Sequence, residues 1–61
     1  MNGEELKTRR KALNLTQAEL GEYLGVAGNT VARWEREELA IPPYLSRALS
    51  DLERELKKTQ S

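Results

Sequence analysis

Thr16-Gln17-Ala18-Glu19-Leu20-Gly21-Glu22-Tyr23-Leu24-Gly25-Val26 is the stretch that decides the fold. Thr16 followed three residues later by Glu19 is a capping box, in which each side chain bonds the other residue's backbone N–H and a helix starts. Leu20 and Leu24 are four apart and share a helix face with Gln17. Gly25 ends the helix, because a residue without a β-carbon enters the left-handed C-cap conformation cheaply. Gly21 costs about 1 kcal/mol relative to alanine in a helix interior, so its presence predicts another backbone close by. The reading is a short helix from Thr16 to Leu24, followed by a tight turn at Leu24-Gly25-Val26.

Working outward, a third helix is expected from Gly28 to Arg36, with Val31 and Trp34 facing inward and Asn29, Arg33 and Arg36 outward. On the other side, Gly3 to Leu13 reads as a first helix. Leu6 and Leu13 lie seven apart, with Arg9 and Arg10 between them on the same side. Asn2 suits its N-cap, Glu4 and Glu5 its first turn, and Asn14 its left-handed end. Glu37 to Ile41 is a connector, and Pro42-Pro43 fits a turn and a helix start but no helix interior. A fourth helix is expected from Pro43 to Lys57, with Leu45, Ala48, Leu49, Leu52 and Leu56 as its apolar stripe and residues 58–61 as a frayed tail. Nothing reads as a strand. The fold class is all-α, one domain over residues 1–61, a bundle of four helices, or five if the last segment divides.

Composition narrows the function. At 61 residues without cysteine or histidine, the chain has no disulfide, no Cys/His zinc site and no Cys or His nucleophile. Stability must come from helix packing, with dimerisation as a further source. No acid/base pair or substrate pocket is recognisable, so an enzyme is not expected and no cofactor is implied. No stretch is long and apolar enough for a membrane span, and the N-terminus lacks signal-peptide features, so a cytoplasmic location is the default. Ten basic residues balance ten acidic ones, which argues against an indiscriminate nucleic-acid binder. Lys7, Arg9, Arg10 and Lys11 cluster early, however, and Glu37, Glu38, Asp51, Glu53 and Glu55 weight the second half toward acid. A neutral total is compatible with one basic and one acidic face. Lys7, Arg9 and Lys11 are expected on a solvated face.

Two short helices joined by a tight glycine-containing turn form the DNA-binding helix-turn-helix pattern. Thr16 to Val26, followed by Asn29-Thr30-Val31-Ala32-Arg33-Trp34-Glu35-Arg36, resembles the XRE family, the lambda-repressor-like and Cro-like group of DNA-binding domains. The likeness takes in Leu6, Arg10 and Leu13 and covers about the first 36 residues. From Pro42 it is looser, since the family usually carries two further short helices where this chain reads as one longer helix. The helix-turn-helix motif occupies about residues 16–36.

The resemblance implies sequence-specific binding of double-stranded DNA by a transcriptional regulator, with the third helix in the major groove. Gly28, Asn29 and Arg33 stand at the main base-reading positions, with Ala27 and Ala32 nearby. Asn can bond adenine, and Arg guanine, in bidentate fashion. Gln17, Thr30 and Arg36 stand where DNA backbone would be contacted, as do the amides near Glu38 to Ala40. Arg10 and Glu35 match an ion pair between helices found in some members. Three departures stand out. Ala27 replaces a common Ser or Thr cap, Gly28 replaces a long polar reader, and Glu37 replaces a common glycine. A homodimer on a roughly palindromic site is expected, with Tyr44, Leu52 and Leu56 as the residues to watch for that contact. The rival class is a protein-interaction module, an antitoxin or adaptor on the same fold, which neutral charge, Gly28 and Glu37 favour.

Overall fold

The computed structural model describes the backbone of residues 1–60 and the side chains of residues 1–57. Four α-helices follow one another: α1 (Gly3–Ala12), α2 (Gln17–Leu24), α3 (Gly28–Glu35) and α4 (Tyr44–Gln60). Among the described residues there is no strand. The expected segment boundaries agree to within a residue, except at the end of α4, which runs on to Gln60 rather than stopping at Lys57. It begins at Tyr44, one residue after Pro43, with the Leu45 amide donating to the Pro42 carbonyl at 3.1 Å. The frayed tail expected at 58–61 falls on undescribed side chains and on Ser61, which lies outside the described residues.

The helix starts are built from local side chains. Asn2 caps α1 by accepting from the Glu5 amide at 2.7 Å. At α2 the capping box is complete: Thr16 Oγ1 accepts from the Glu19 amide at 3.1 Å, and Glu19 Oε1 accepts from the Thr16 amide at 2.8 Å. Ala27 precedes α3 in an extended conformation and offers no side-chain cap, as its identity requires.

The ends of α1, α2 and α3 share one device. After each, a residue adopts the left-handed conformation: Asn14 (φ 60°), Gly25 (φ 77°) and Glu37 (φ 60°). The next amide reaches back a full turn, from Leu15 to the Arg10 carbonyl at 3.3 Å, from Val26 to Gly21 at 2.8 Å and from Glu38 to Arg33 at 2.9 Å. The left-handed residues themselves donate to Lys11 (3.0 Å), Glu22 (3.4 Å) and Trp34 (3.1 Å). Each end is therefore a Schellman motif. Glycine enters it at no steric cost and asparagine at little, whereas a left-handed residue with an ordinary side chain costs about 1–2 kcal/mol. Glu37 carries that cost at the position where the resemblance expects glycine.

The core draws on every helix. Leu6 of α1, Leu20 of α2, Val31 and Trp34 of α3, and Leu45 and Leu49 of α4 are buried, with Leu15, Leu24, Val26, Ile41 and Leu52 packed against them. Leu15 and Leu20 flank the α2 start as a hydrophobic staple, one before the cap and one four residues into the helix. Leu13, Ala48 and Leu56 are half-buried.

One expectation is corrected. Arg9 is not on a solvated face: it binds α4, donating to Glu53 Oε1 at 2.8 Å and to Ser50 Oγ at 3.2 Å. Position 9 lies one helical step round from Arg10, and α4 packs along that side of α1. Replacing Glu37 by glycine removes the strained side chain from the left-handed position. Glu37→Gly is expected to stabilise the fold by about 1 kcal/mol, read as a higher urea midpoint with an unchanged slope.

Candidate nucleic-acid interface

α3 has two faces set by its sequence. Val31 and Trp34 are buried, while Asn29, Arg33 and Arg36 are exposed. Asn29 and Arg33 are four apart and lie on one side. Neither side chain makes a hydrogen bond or ion pair among the described residues, so both remain available to a ligand. Arg36 is engaged, with its guanidinium 2.8 Å from Glu38 Oε2, though both groups are more than half exposed. Such an exposed pair is worth about 0–1 kcal/mol and does not hold Arg36 away from a phosphate.

The remaining expected positions are quieter. Ala27 is exposed, and Gly28, Thr30 and Ala32 are half-buried. Gly28 sits where α3 crosses α2. A β-carbon there would stand 2.8 Å from Ala18 Cα and 3.1 Å from Ala18 N. A long reader at position 28 would force the two helices apart, so Gly28 offers its backbone only. Gly21 answers the same crossing from α2, since a β-carbon on it would meet the Val26 carbonyl oxygen at 2.6 Å. The close backbone predicted from Gly21 is that of the turn and the start of α3.

Behind α3 lies a buried polar cluster. Glu35 Oε2 accepts from Arg10 Nε at 2.7 Å, and Glu35 Oε1 accepts from Arg10 Nη2 at 3.2 Å. The side chains are 4% exposed for Glu35 and 10% for Arg10, so this pair is screened little by water. Arg10 also donates from Nη1 to the Leu15 carbonyl at 2.8 Å. Gln17 joins by donating from Nε2 to Glu35 Oε1 at 3.1 Å. One carboxylate therefore ties α1, α2 and α3 together. No buried side-chain nitrogen or oxygen among the described residues lacks a partner. The cluster forms the floor of a groove lined by Lys7, Arg10, Thr16, Gln17, Glu35 and Arg36.

The charges are sorted only in part, since a neighbouring groove mixes Lys7 and Lys11 with Glu4, Glu35 and Glu37. Lys7, Gln17 and Arg36 border the groove over the buried cluster, while the grooves on either side of Tyr23 are lined by Leu15, Glu19 and Glu22 and by Leu24, Ala48, Asp51, Leu52 and Glu55, with no cation among them. Sequence reading anticipated the Arg10–Glu35 pair through its resemblance, but not the bond from Gln17. No spacing rule links positions 17 and 35, and only the α2–α3 crossing brings them together. Among the described residues no helix is long and apolar enough to cross a membrane, and no group of His, Cys, Asp or Glu could hold a metal ion.

A capped α2, a Schellman turn and an α3 whose outer face presents Asn29 and Arg33 without internal partners define a helix-turn-helix DNA-binding domain. The helix-turn-helix family pattern matches residues 6–52, and the chain belongs to that family, in its lambda-repressor-like XRE branch. This is a DNA-binding family and not an enzymatic one. The chain is similar to the repressor protein C2 of Salmonella phage P22, at 44% identity over 36 residues, which are 59% of this chain and 17% of that protein. The chain thus matches about a sixth of the repressor's length. No solved structure matches the chain.

The buried cluster generates a stability prediction. Arg10→Met leaves Glu35 as a buried carboxylate without its cation, which costs about 3–5 kcal/mol. The variant is expected to be largely unfolded at 37 °C by circular dichroism, whereas Arg10→Met combined with Glu35→Leu removes both charges and should melt near the parent temperature.

Proposed function

We propose that this domain is the DNA-reading part of a repressor-type transcriptional regulator, and that it reads bases mainly through Asn29 and Arg33. The observation that carries this reading is the outer face of α3, where both side chains are exposed, share one side and have no internal partner. In the docking geometry of such motifs, α3 enters the major groove and the start of α2 approaches the phosphates. Arg33 is assigned to guanine and Asn29 to adenine, by bidentate geometry. Gln17, Thr30 and Arg36 are assigned to the backbone, with the amides from Glu38 to Ala40 on the far strand. Ala27, Gly28 and Ala32 complete the groove-facing surface through small contacts, including the methyl groups of thymine for the two alanines. The small size of these three leaves readout concentrated in two long side chains.

A domain of this size covers little DNA, so two copies on a roughly palindromic site, with half-sites about one helical turn apart, fit the reading. The contact between copies is assigned to α4, a helix of 17 residues. Leu52 and Leu56 are half-buried and Tyr44 is exposed.

Four measurements test this. Selection from a random duplex library should return a two-fold symmetric sequence, and an unstructured result would remove the specific-reader assignment. Arg33→Ala should cost about 1–3 kcal/mol and relax preference at one base position per half-site. Equal loss on every sequence would mean that Arg33 grips backbone alone. Affinity should also fall with rising salt, but mildly, since Arg36 is the one cation assigned to the DNA backbone, and Tyr44→Glu with Leu56→Glu should abolish two-copy binding while leaving half-site binding intact.

A further inference from the structure

We propose that Glu35 is a positioning residue for DNA binding: it holds the amide of Gln17 in the one orientation that presents an N–H to a phosphate. This rests on the assignment of Gln17 to the DNA backbone. A glutamine side chain ends in two groups of opposite character, a carbonyl that accepts and an NH2 that donates twice. A phosphate only accepts. A free glutamine on a helix start would show it either end.

Here the choice is made from inside the protein. Glu35 is an acceptor, so Gln17 must give it the nitrogen, and Nε2 lies 3.1 Å from Oε1. The carbonyl end is thereby turned away from the carboxylate, and Nε2 keeps its second N–H for the groove bordered by Lys7, Thr16 and Arg36. The carboxylate is itself immobile, because Arg10 grips both of its oxygens at 2.7 and 3.2 Å and its side chain is 4% exposed. Its negative charge would repel a phosphate, but the adjoining guanidinium of Arg10 compensates it. The pair is neutral, and its directional consequence is the fixed amide. The donor is thus ordered before DNA arrives, which lowers the ordering cost on binding.

The test compares variants that all lack Arg10, so that its loss is common to them. Arg10→Met with Glu35→Leu removes the acceptor. Arg10→Met with Glu35→Gln restores a neutral acceptor at the same place. Duplex affinity is expected to fall on the order of tenfold in the first, equally on all sequences, and to return in the second. Adding Gln17→Ala to the first should cost nothing further, whereas Gln17→Ala in the parent should cost the same tenfold. The salt slope should not change, since no cation is lost from the interface. In the DNA-free protein, one side-chain amide proton of Gln17 should be displaced from its free-glutamine position in the parent and in the Glu35→Gln form, and return to that position in the Glu35→Leu form. Parent affinity in the folded Glu35→Leu form, with Gln17→Ala still harmful, overturns the positioning role and leaves the Gln17 assignment standing. An unaffected Gln17→Ala variant overturns the assignment, and the proposal with it.

Discussion

The buried carboxylate of Glu35 is the constraint around which the rest is arranged. Placing a charge inside a 61-residue domain is costly unless it is paired and its remaining lone pairs are filled. Arg10 supplies the charge and two bonds, Gln17 supplies a third, and Arg10 in turn binds the Leu15 carbonyl in the loop between α1 and α2. Apolar packing alone would tolerate small rotations of α3 against α2, because leucine and valine contacts have no direction. The bonds to Glu35 do have direction, and they converge from two separate segments, α1 and α2. An ion pair of this kind adds little net stability over an apolar substitute. Its physical contribution is to fix how α3 stands relative to the first turn of α2, which is the geometry a helix-turn-helix must hold.

Helix termination complements this anchoring. α1, α2 and α3 are 10, 8 and 8 residues long, too short to persist alone in water. They are defined by their ends as much as by the core. The repeated Schellman motif reverses the chain while satisfying the last carbonyls, and it delivers Leu15 and Val26 to the core as the residues just beyond α1 and α2. The third instance, at Glu37, uses a residue ill suited to a left-handed backbone and leads into the loop assigned to phosphate. Its persistence in that conformation depends on the two backbone bonds from Glu37 and Glu38.

What was legible in the sequence was local. The capping box at Thr16 and Glu19, the caps at Asn2 and Gly25, the left-handed Asn14 and the apolar stripe of α4 all involve residues within a few positions of one another, where spacing maps directly onto space. Contacts between distant segments were not legible. Arg9 and Glu53 are 44 residues apart, and nothing in either neighbourhood signals the other. Gly28 looked like a missing reader until the α2–α3 crossing placed the Ala18 backbone beside it. Gly3 passed as an ordinary helix start, yet a β-carbon on it would run into the Trp34 and Glu35 carbonyls at the end of α3. The Arg10–Glu35 pair was anticipated only because it matches a family position. The base-reading assignments remain where residue-by-residue likeness put them, since exposure and lack of a partner are necessary for a reader but do not choose a base.

The zero net charge bears on how such a domain discriminates. Arg9, Arg10 and Arg36 are matched internally by Glu53, Glu35 and Glu38, and the carboxylates around Tyr23 line other grooves than the one at the α2 start. Long-range attraction to duplex DNA is correspondingly weak, and the sequence-independent part of binding, which scales with the number of phosphates neutralised, is small. Affinity must then come from short-range contacts that a wrong sequence does not offer. On the proposed reading, two base-reading side chains per copy would give few such contacts, which is the argument for two copies adding their discrimination on a symmetric site. A domain built this way gives up general affinity for DNA, and what it gains is a larger ratio of specific to non-specific binding, the quantity that matters against a genome of competing sites.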